Sequence, residues 1–147
     1  MINEGLFTSD SYEWGTPQAL FDELNEEFNF SLDPCATKEN AKCDDYYTES
    51  ENGLRQSWGI RTVFCNPPYG RDIGKWVYKA SREAKKGSIV VMLIPARTDT
   101  RWFHDHIYGK VREIRFLKGR LKFVKFGENM ENKRENTAPF PSMVVIF

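Results

Sequence analysis

Asn66-Pro67-Pro68-Tyr69 is the stretch of this chain whose residue types could do chemistry. It follows a short apolar run, Val63-Phe64-Cys65, and precedes Gly70. Proline has no N–H to give a sheet and fixes φ, so two in succession end a strand at Asn66 and hold its exit rigid. The carboxyl end of a strand is where an α/β sheet binds its ligands. The turn offers an amide oxygen from Asn66, the carbonyl of Pro67 and the aromatic face of Tyr69. Two acceptors beside a stacking plane suit a planar amine, such as the exocyclic amino group of adenine. A turn that only ended a strand would need neither the Asn before the prolines nor the Tyr after them.

The surrounding pattern supplies elements to position this turn. Thr16-Pro17 reads as a helix N-cap followed by proline at the first helical position. Leu20, Phe21, Leu24 and Phe28 follow at helical spacing, with Asp22, Glu23, Glu26 and Glu27 on the wet side. Phe30-Ser31-Leu32-Asp33 reads as a short strand ending in an acid and stopped by Pro34. Residues 37–60 are polar and irregular. Residues 62–65 form the next strand, and Ile73, Trp76, Val77, Ala80 and Ala84 share one helical face that ends before Gly87. Residues 88–94 are a continuous apolar run, the pattern of a central buried strand. A short helix over 99–108, a mixed strand over 111–117 and an apolar strand over 143–147 follow, with a long loop at 118–142 that is expected to be functional. Residues 1–15 are polar without period and are expected as a flexible arm, leaving 16–147 as a single domain. The alternation of strand and helix predicts an α/β sandwich with a mostly parallel sheet, its last two strands pairing antiparallel.

The 147 residues suffice for one domain with a real core, and no apolar run approaches the length of a membrane span. Cys35, Cys43 and Cys65, with His104 and His106, lack the spacing of a zinc site, so reduced thiols in a cytoplasm are the simpler reading and no metal is expected. The net charge of zero conceals an asymmetry. Residues 1–54 carry 13 acidic and 2 basic side chains, whereas residues 55–147 carry 8 and 19. The densest basic stretch runs from Lys110 to Lys125 with Phe116 and Phe123 interleaved, and Phe126 follows. That combination suits a nucleic-acid backbone; mutual attraction of the two halves is the other reading of the same charges.

Read in order, Trp14-Gly15-Thr16-Pro17, Leu32-Asp33-Pro34-Cys35-Ala36, Asn40-Ala41-Lys42-Cys43, Gly53-Leu54 with Trp58, Asn66-Pro67-Pro68-Tyr69-Gly70, Leu93-Ile94-Pro95-Ala96-Arg97, Gly119-Arg120-Leu121-Lys122-Phe123 and Ala138-Pro139-Phe140-Pro141-Ser142 resemble the small phage-type DNA adenine-N6 methyltransferases. The resemblance spans nearly the whole chain and implies a reduced, Rossmann-like methyltransferase fold that uses S-adenosylmethionine. It implies that Asp33 meets the cofactor's ammonium and that Thr16 and Pro17 close over its carboxylate. Asp44 and Asp45 are candidates for the ribose hydroxyls and Asn52-Gly53-Leu54 for the lining of the cofactor's adenine ring, with Cys35 and Asn66 counted in the same cofactor site. The host cell's cytoplasm is the implied setting. One departure stands out: residues 33–38 read Asp-Pro-Cys-Ala-Thr-Lys where many methyltransferases have a glycine-rich turn.

The implied chemistry places Asn66, Pro67, Pro68 and Tyr69 at the target amine. The amine's lone pair is delocalised into the ring, and two acceptors would favour a pyramidal, more nucleophilic nitrogen. The sulfonium carries an activated methyl, so the reaction calls for no metal. The partner is double-stranded DNA with the target adenine flipped out of the stack. Arg97, Arg120 and Lys122 are candidates for phosphate contacts, and Phe123 or Phe140 for completing the stack. Methylation of RNA adenine or of a protein glutamine, and a DNA-binding module without catalysis, are the competing readings of the same motif.

Overall fold

The computed structural model describes residues 14–125 and 134–147. In chain order the elements are β1 (Trp14–Gly15), α1 (Gln18–Phe28), β2 (Thr62–Cys65), α2 (Ile73–Lys85), β3 (Ile89–Pro95), α3 (Arg101–His106), β4 (Glu113–Phe116), β5 (Lys122–Lys125), β6 (Arg134–Thr137) and β7 (Ser142–Ile146). β2, β3, β7 and β4 lie side by side in that order as the main sheet, and Leu32 adds a single parallel bridge to Val63 at the β2 edge. β1, β5 and β6 form a second, small sheet. Most of the expected flexible arm, residues 1–13, falls outside the described residues, as do Phe126 and Gly127 of the long loop.

The apolar runs of β2 and β3 are continuous because both faces of the main sheet are covered. Val63, Cys65, Val90, Met92, Ile94, Met143 and Val145 pack with Ile73, Trp76, Val77 and Ala80 of α2 and with Phe103 and Ile107. Phe64, Val91, Leu93, Val144 and Ile146 face the other way, against Phe21 and Leu24 of α1 and Phe123 of the small sheet. Alternate residues of one strand therefore serve two cores, as the pleat requires.

The α/β class of the fold agrees with the sequence reading, but the mostly parallel, Rossmann-like sheet does not. Among the named strands only β2–β3 is parallel; β3–β7, β4–β7, β1–β5 and β5–β6 are antiparallel. The cause lies in the excursion after β4. The chain leaves the sheet beyond Phe116, forms the β5–β6 hairpin, and re-enters at Ser142, which pairs with the last residue of β3. A strand that re-enters at the end its neighbours leave from must run against them. β4 and β7 do pair antiparallel as expected, with β7 inside the sheet between β3 and β4. The supposed loop at 118–142 is thus partly a hairpin, with β5 and β6 paired antiparallel and Phe123 of β5 turned into the core.

The irregular stretch before β2 is fixed by buried polar contacts. Glu83, on the inward side of α2, accepts from the Trp58 N–H at 2.6 Å, with the Lys86 and Lys79 ammonium groups at 3.3 and 3.6 Å. Burial works to raise its pKa, but that N–H and the two cations outweigh it and hold the carboxyl low. The Trp58 indole donates to Gly53 O at 2.9 Å. Gly53 in turn crosses the chain at Pro34 so closely that a Cβ there would lie 2.0 Å from Pro34 O. Neither backbone can yield without moving a loop. Gly53→Ala is therefore expected to destabilise the fold by about 1–3 kcal/mol, the usual cost of overpacking. The check is a urea titration, in which an unchanged midpoint would show that the crossing can relax.

Candidate active site

The site begins with a missing hydrogen bond. In the parallel β2–β3 ladder the Ile89 N–H donates to Arg61 O at 3.0 Å, and donors and acceptors then alternate two residues at a time. Continued past Cys65, that alternation would give Leu93 O the N–H of residue 67. Residue 67 is proline and has none. The Tyr69 hydroxyl takes its place, donating toward Leu93 O at 3.1 Å and Asn66 Oδ1 at 2.5 Å. Burial, with the Cys65 and Cys35 thiols close by, pushes the Tyr69 hydroxyl well above its ordinary pKa and keeps it a donor. Its ring lies edge-on to Phe140 and Phe123, with centroids at 5.5 and 5.9 Å.

The other end of the Asn66 amide reaches back 50 residues. Nδ2 donates to Thr16 Oγ1 at 3.0 Å. Thr16 is buried, and its hydroxyl is not the cap of α1 that the sequence suggests; Pro17 holds the N-cap position and no side-chain cap bond forms.

Asn66 also forms part of the wall of a cavity of about 380 Å³. Of the cofactor candidates, Thr16, Asp33, Cys35, Asn52, Leu54 and Asn66 line it, whereas Pro17 and Asp45 do not. Asp45 instead pairs with Arg61 at 2.5 Å, and Arg61 also donates to Ser31 O at 2.6 Å. Asn52 adopts a left-handed backbone, φ 56°, and accepts from the Leu54 N–H at 3.2 Å, which turns that loop onto the cavity. No residue from 34 to 38 needs a positive φ. The close backbone approach falls instead at Gly53, which lies against Pro34.

Pro67 and Pro68 are both buried, so the turn that carries Asn66 is anchored in the core. The candidates for nucleic-acid contact divide. Arg97, Arg120 and Lys122 are exposed, and the Arg97 guanidinium lies 5.9 Å from the Phe140 ring centroid. Phe140 is half-buried, while Phe123 is 1% exposed and belongs to the core. Arg115, in the middle of the basic stretch, is bound bidentately to Glu27 at 2.8 and 2.7 Å and to Glu113 at 2.7 Å.

The profile of the DNA N-6-adenine-methyltransferase (Dam) family matches residues 6–147. The chain belongs to that family. The DNA N-6-adenine-methyltransferase of Haemophilus phage HP1 is 30% identical over 150 residues, covering all of this chain and 84% of that protein. The protein of the same description from Escherichia phage T1 is 36% identical over 107 residues, covering 69% of this chain and 44% of that one. A putative methyltransferase of Escherichia coli, YfdM, is 39% identical over 64 residues, covering 39% and 70%. Methyl transfer to the N6 amino group of adenine in DNA is the activity that family membership assigns.

Within this Dam-family cavity the sequence reading missed Glu49, Lys42 and Trp76, all of which line it. Trp76 carried a signal, being on the apolar face of α2; Glu49 and Lys42 lie in a polar stretch without period. Lys42 donates its backbone N–H to Asp33 Oδ2 at 3.1 Å, and the Cys35 N–H reaches Asp33 Oδ1 at 3.3 Å. Among the described residues no cluster of His, Cys, Asp and Glu is arranged to hold a metal, and no helix is long and apolar enough to cross a membrane.

Asp33 is 4% exposed, and burial raises its pKa to about 7, against the pull of the Lys42 and Cys35 N–H groups and the Lys42 charge. An unfolded Asp titrates near ~3.9. Between these values the folded protein keeps a proton that the unfolded chain has lost, so this group's contribution to stability declines as pH rises from about 4 to about 7 and is then constant. Asp33→Asn removes that decline. Its thermal midpoint relative to wild type is expected to improve from pH 5 to pH 8, and a difference independent of pH would show that Asp33 is ionised throughout.

Proposed function

We propose that Asn66 Oδ1 and the Pro67 carbonyl receive the N6 amine of an adenine flipped out of duplex DNA, with S-adenosylmethionine as the methyl donor in the Asp33 cavity. The observation that carries this reading is the shared wall: Asn66, which heads the Asn-Pro-Pro-Tyr turn, also lines the cavity that contains Asp33. A group held there and a base held at Asn66 would be neighbours, and orientation of the two is most of what methyl transfer requires.

The cavity's chemistry fits the cofactor. Its volume falls in the range of small-molecule sites, roughly 300–1,000 Å³. Asp33 offers a carboxylate for an ammonium, Asn52 and Glu49 offer polar groups at a sugar, and Leu54 and Trp76 offer apolar surface for a purine. Glu49 replaces Asp45 as the ribose acceptor, since Asp45 is committed to Arg61. When bound, the sulfonium supplies an activated methyl group.

The residues around the turn then act on the amine. Tyr69 holds the position of the target amine on Asn66 Oδ1 until DNA arrives. The incoming amine displaces that hydroxyl, which keeps Leu93 O as acceptor. Acceptors at Asn66 and Pro67 stabilise the charge that grows on nitrogen. Asn66 is recessed and only half-exposed, so a base still stacked in a duplex would not reach it. Phe140, next to Tyr69, offers a ring to stack on the extruded base. Arg97, Arg120 and Lys122 face solvent for the phosphate backbone.

The test is to incubate the protein with S-adenosylmethionine and matched DNA and RNA, and to quantify N6-methyladenine in each. Methylation confined to RNA would overturn the DNA assignment. In the same assay Asn66→Ala is expected to lower turnover on the order of a hundredfold, as for loss of one oxyanion-type contact. Near-normal methylation by that variant would remove Asn66 from the reaction.

A salt titration separates the two meanings of the basic half. Replacing Arg120 and Lys122 by Ala is expected to flatten the salt dependence of DNA binding by roughly one unit each, with little change in thermal midpoint. A lowered midpoint with an unaltered slope would assign these charges to the fold, as the structure already does for Arg115.

A further inference from the structure

An asparagine amide has two ends of nearly equal shape and opposite hydrogen-bonding sense. Turned one way, Asn66 meets the target nitrogen with an acceptor; turned the other way, it meets an amine with an amine. Something must choose between the two. Pro67 and Pro68 fix the backbone, but they have no side-chain polar atom with which to choose the amide's sense. Groups at both ends bear on it: the Tyr69 hydroxyl donates to Oδ1 at 2.5 Å, and Thr16 Oγ1 accepts from Nδ2 at 3.0 Å, so when an incoming amine takes the place of Tyr69 the Thr16 contact is still there to hold the amide's sense.

Thr16 is well suited to this. It is 4% exposed, and it stands between β1, which is paired to the small sheet, and α1, which packs on the main one. Its position is therefore set from both sides. A threonine hydroxyl has one hydrogen to donate and two lone pairs that accept. One lone pair receives the Asn66 Nδ2–H. The hydrogen remains, and Thr16 lines the cavity beside Asp33. An anionic acceptor in that cavity would draw the hydrogen inward and leave the lone pair committed to Asn66.

We infer that Thr16 is a positioning residue that couples occupancy of the cofactor cavity to the orientation of the Asn66 amide. This rests on the reading of Asn66 as the acceptor of the target amine. A filled cavity fixes the hydroxyl, the hydroxyl fixes the amide, and Oδ1 is then turned toward the base. Base recognition thereby becomes stronger when the cofactor site is filled, and by linkage the base strengthens cofactor binding to the same degree. A threonine that only bound the cofactor would affect cofactor affinity alone.

The experiment compares Thr16→Val, which keeps the shape and loses the hydroxyl, with Thr16→Ser, which keeps the hydroxyl. Three quantities are read for each: kcat at saturating cofactor, the Kd for S-adenosylhomocysteine by calorimetry, and the Kd for substrate DNA with and without S-adenosylhomocysteine. Thr16→Val is expected to lower kcat at saturation by roughly ten- to hundredfold, in line with the cost of misorienting a reacting group. It is also expected to lose the tightening of DNA binding that S-adenosylhomocysteine brings, while Thr16→Ser retains both. Wild-type kcat at saturation with a weakened Kd for S-adenosylhomocysteine would overturn the inference and leave Thr16 a cofactor ligand only. Equal loss of kcat in both variants would also overturn it, assigning the effect to packing of the methyl group. Should Thr16→Val fail to fold, Thr16→Ala is read against Thr16→Ser by the same criteria. Failure of the underlying reading looks different: Asn66→Ala would then retain turnover whatever Thr16 does.

Discussion

The N–H that Pro67 lacks is the constraint on which the site depends. A β2 strand that continued would have covered Leu93 O and run the ladder to the end of β3. Because it stops, β3 extends past it to Pro95, paired on one side only with β7. The exposed carbonyl must be satisfied, since an unpaired backbone acceptor in the core costs about 1–3 kcal/mol. Tyr69, two residues on from Pro67, satisfies it from the side chain. The same hydroxyl lies on Asn66 Oδ1, so the group that repairs the sheet also occupies the acceptor that we propose receives the target amine. One hydroxyl hydrogen thus serves two acceptors, Leu93 O in the sheet and Asn66 Oδ1 in the turn.

A second constraint builds the neighbouring cavity. A turn without glycines follows Asp33, and the backbone there takes no left-handed conformation. The close backbone approach lies instead at Gly53, which packs against Pro34 and is fastened to α2 through Trp58 and Glu83. Pro34 and Gly53, both on the cavity's wall, are thereby tied to the core. The price is a buried carboxyl, Asp33, held by two N–H groups but without a cation at bonding distance among the described contacts. A cationic ligand is the partner such a group lacks.

The division of charge between the two halves has two uses rather than one. Arg115 joins Glu27 of α1 to the β4 edge, so part of the basic stretch holds the acidic half in place. Arg97, Arg120 and Lys122 remain on the surface. Within one basic run, neighbours in sequence thus serve the fold and the surface separately. Composition sums over both and cannot divide them.

The sequence by itself determined the Asn-Pro-Pro-Tyr turn, the helical faces and the central strand, because each rests on local chemistry. Proline ends a strand wherever it stands, and the apolar positions of α2 repeat at the helical period. The family resemblance rested on the same residues, in an order that the chain itself displays. What the tertiary structure alone decided was direction and partnership. Strand direction depends on where the chain re-enters the sheet after the β5–β6 hairpin, and nothing local to residues 142–146 encodes that. Thr16 was read as a cap because a hydroxyl before a proline at a helix start usually caps; here Asn66, 50 residues away, takes the hydroxyl instead. Asp45 and Glu49 are both carboxylates four positions apart, yet only the fold gives one to Arg61 and the other to the cavity. A side chain's type fixes which bonds it can make, and long-range packing fixes which of those bonds it does make.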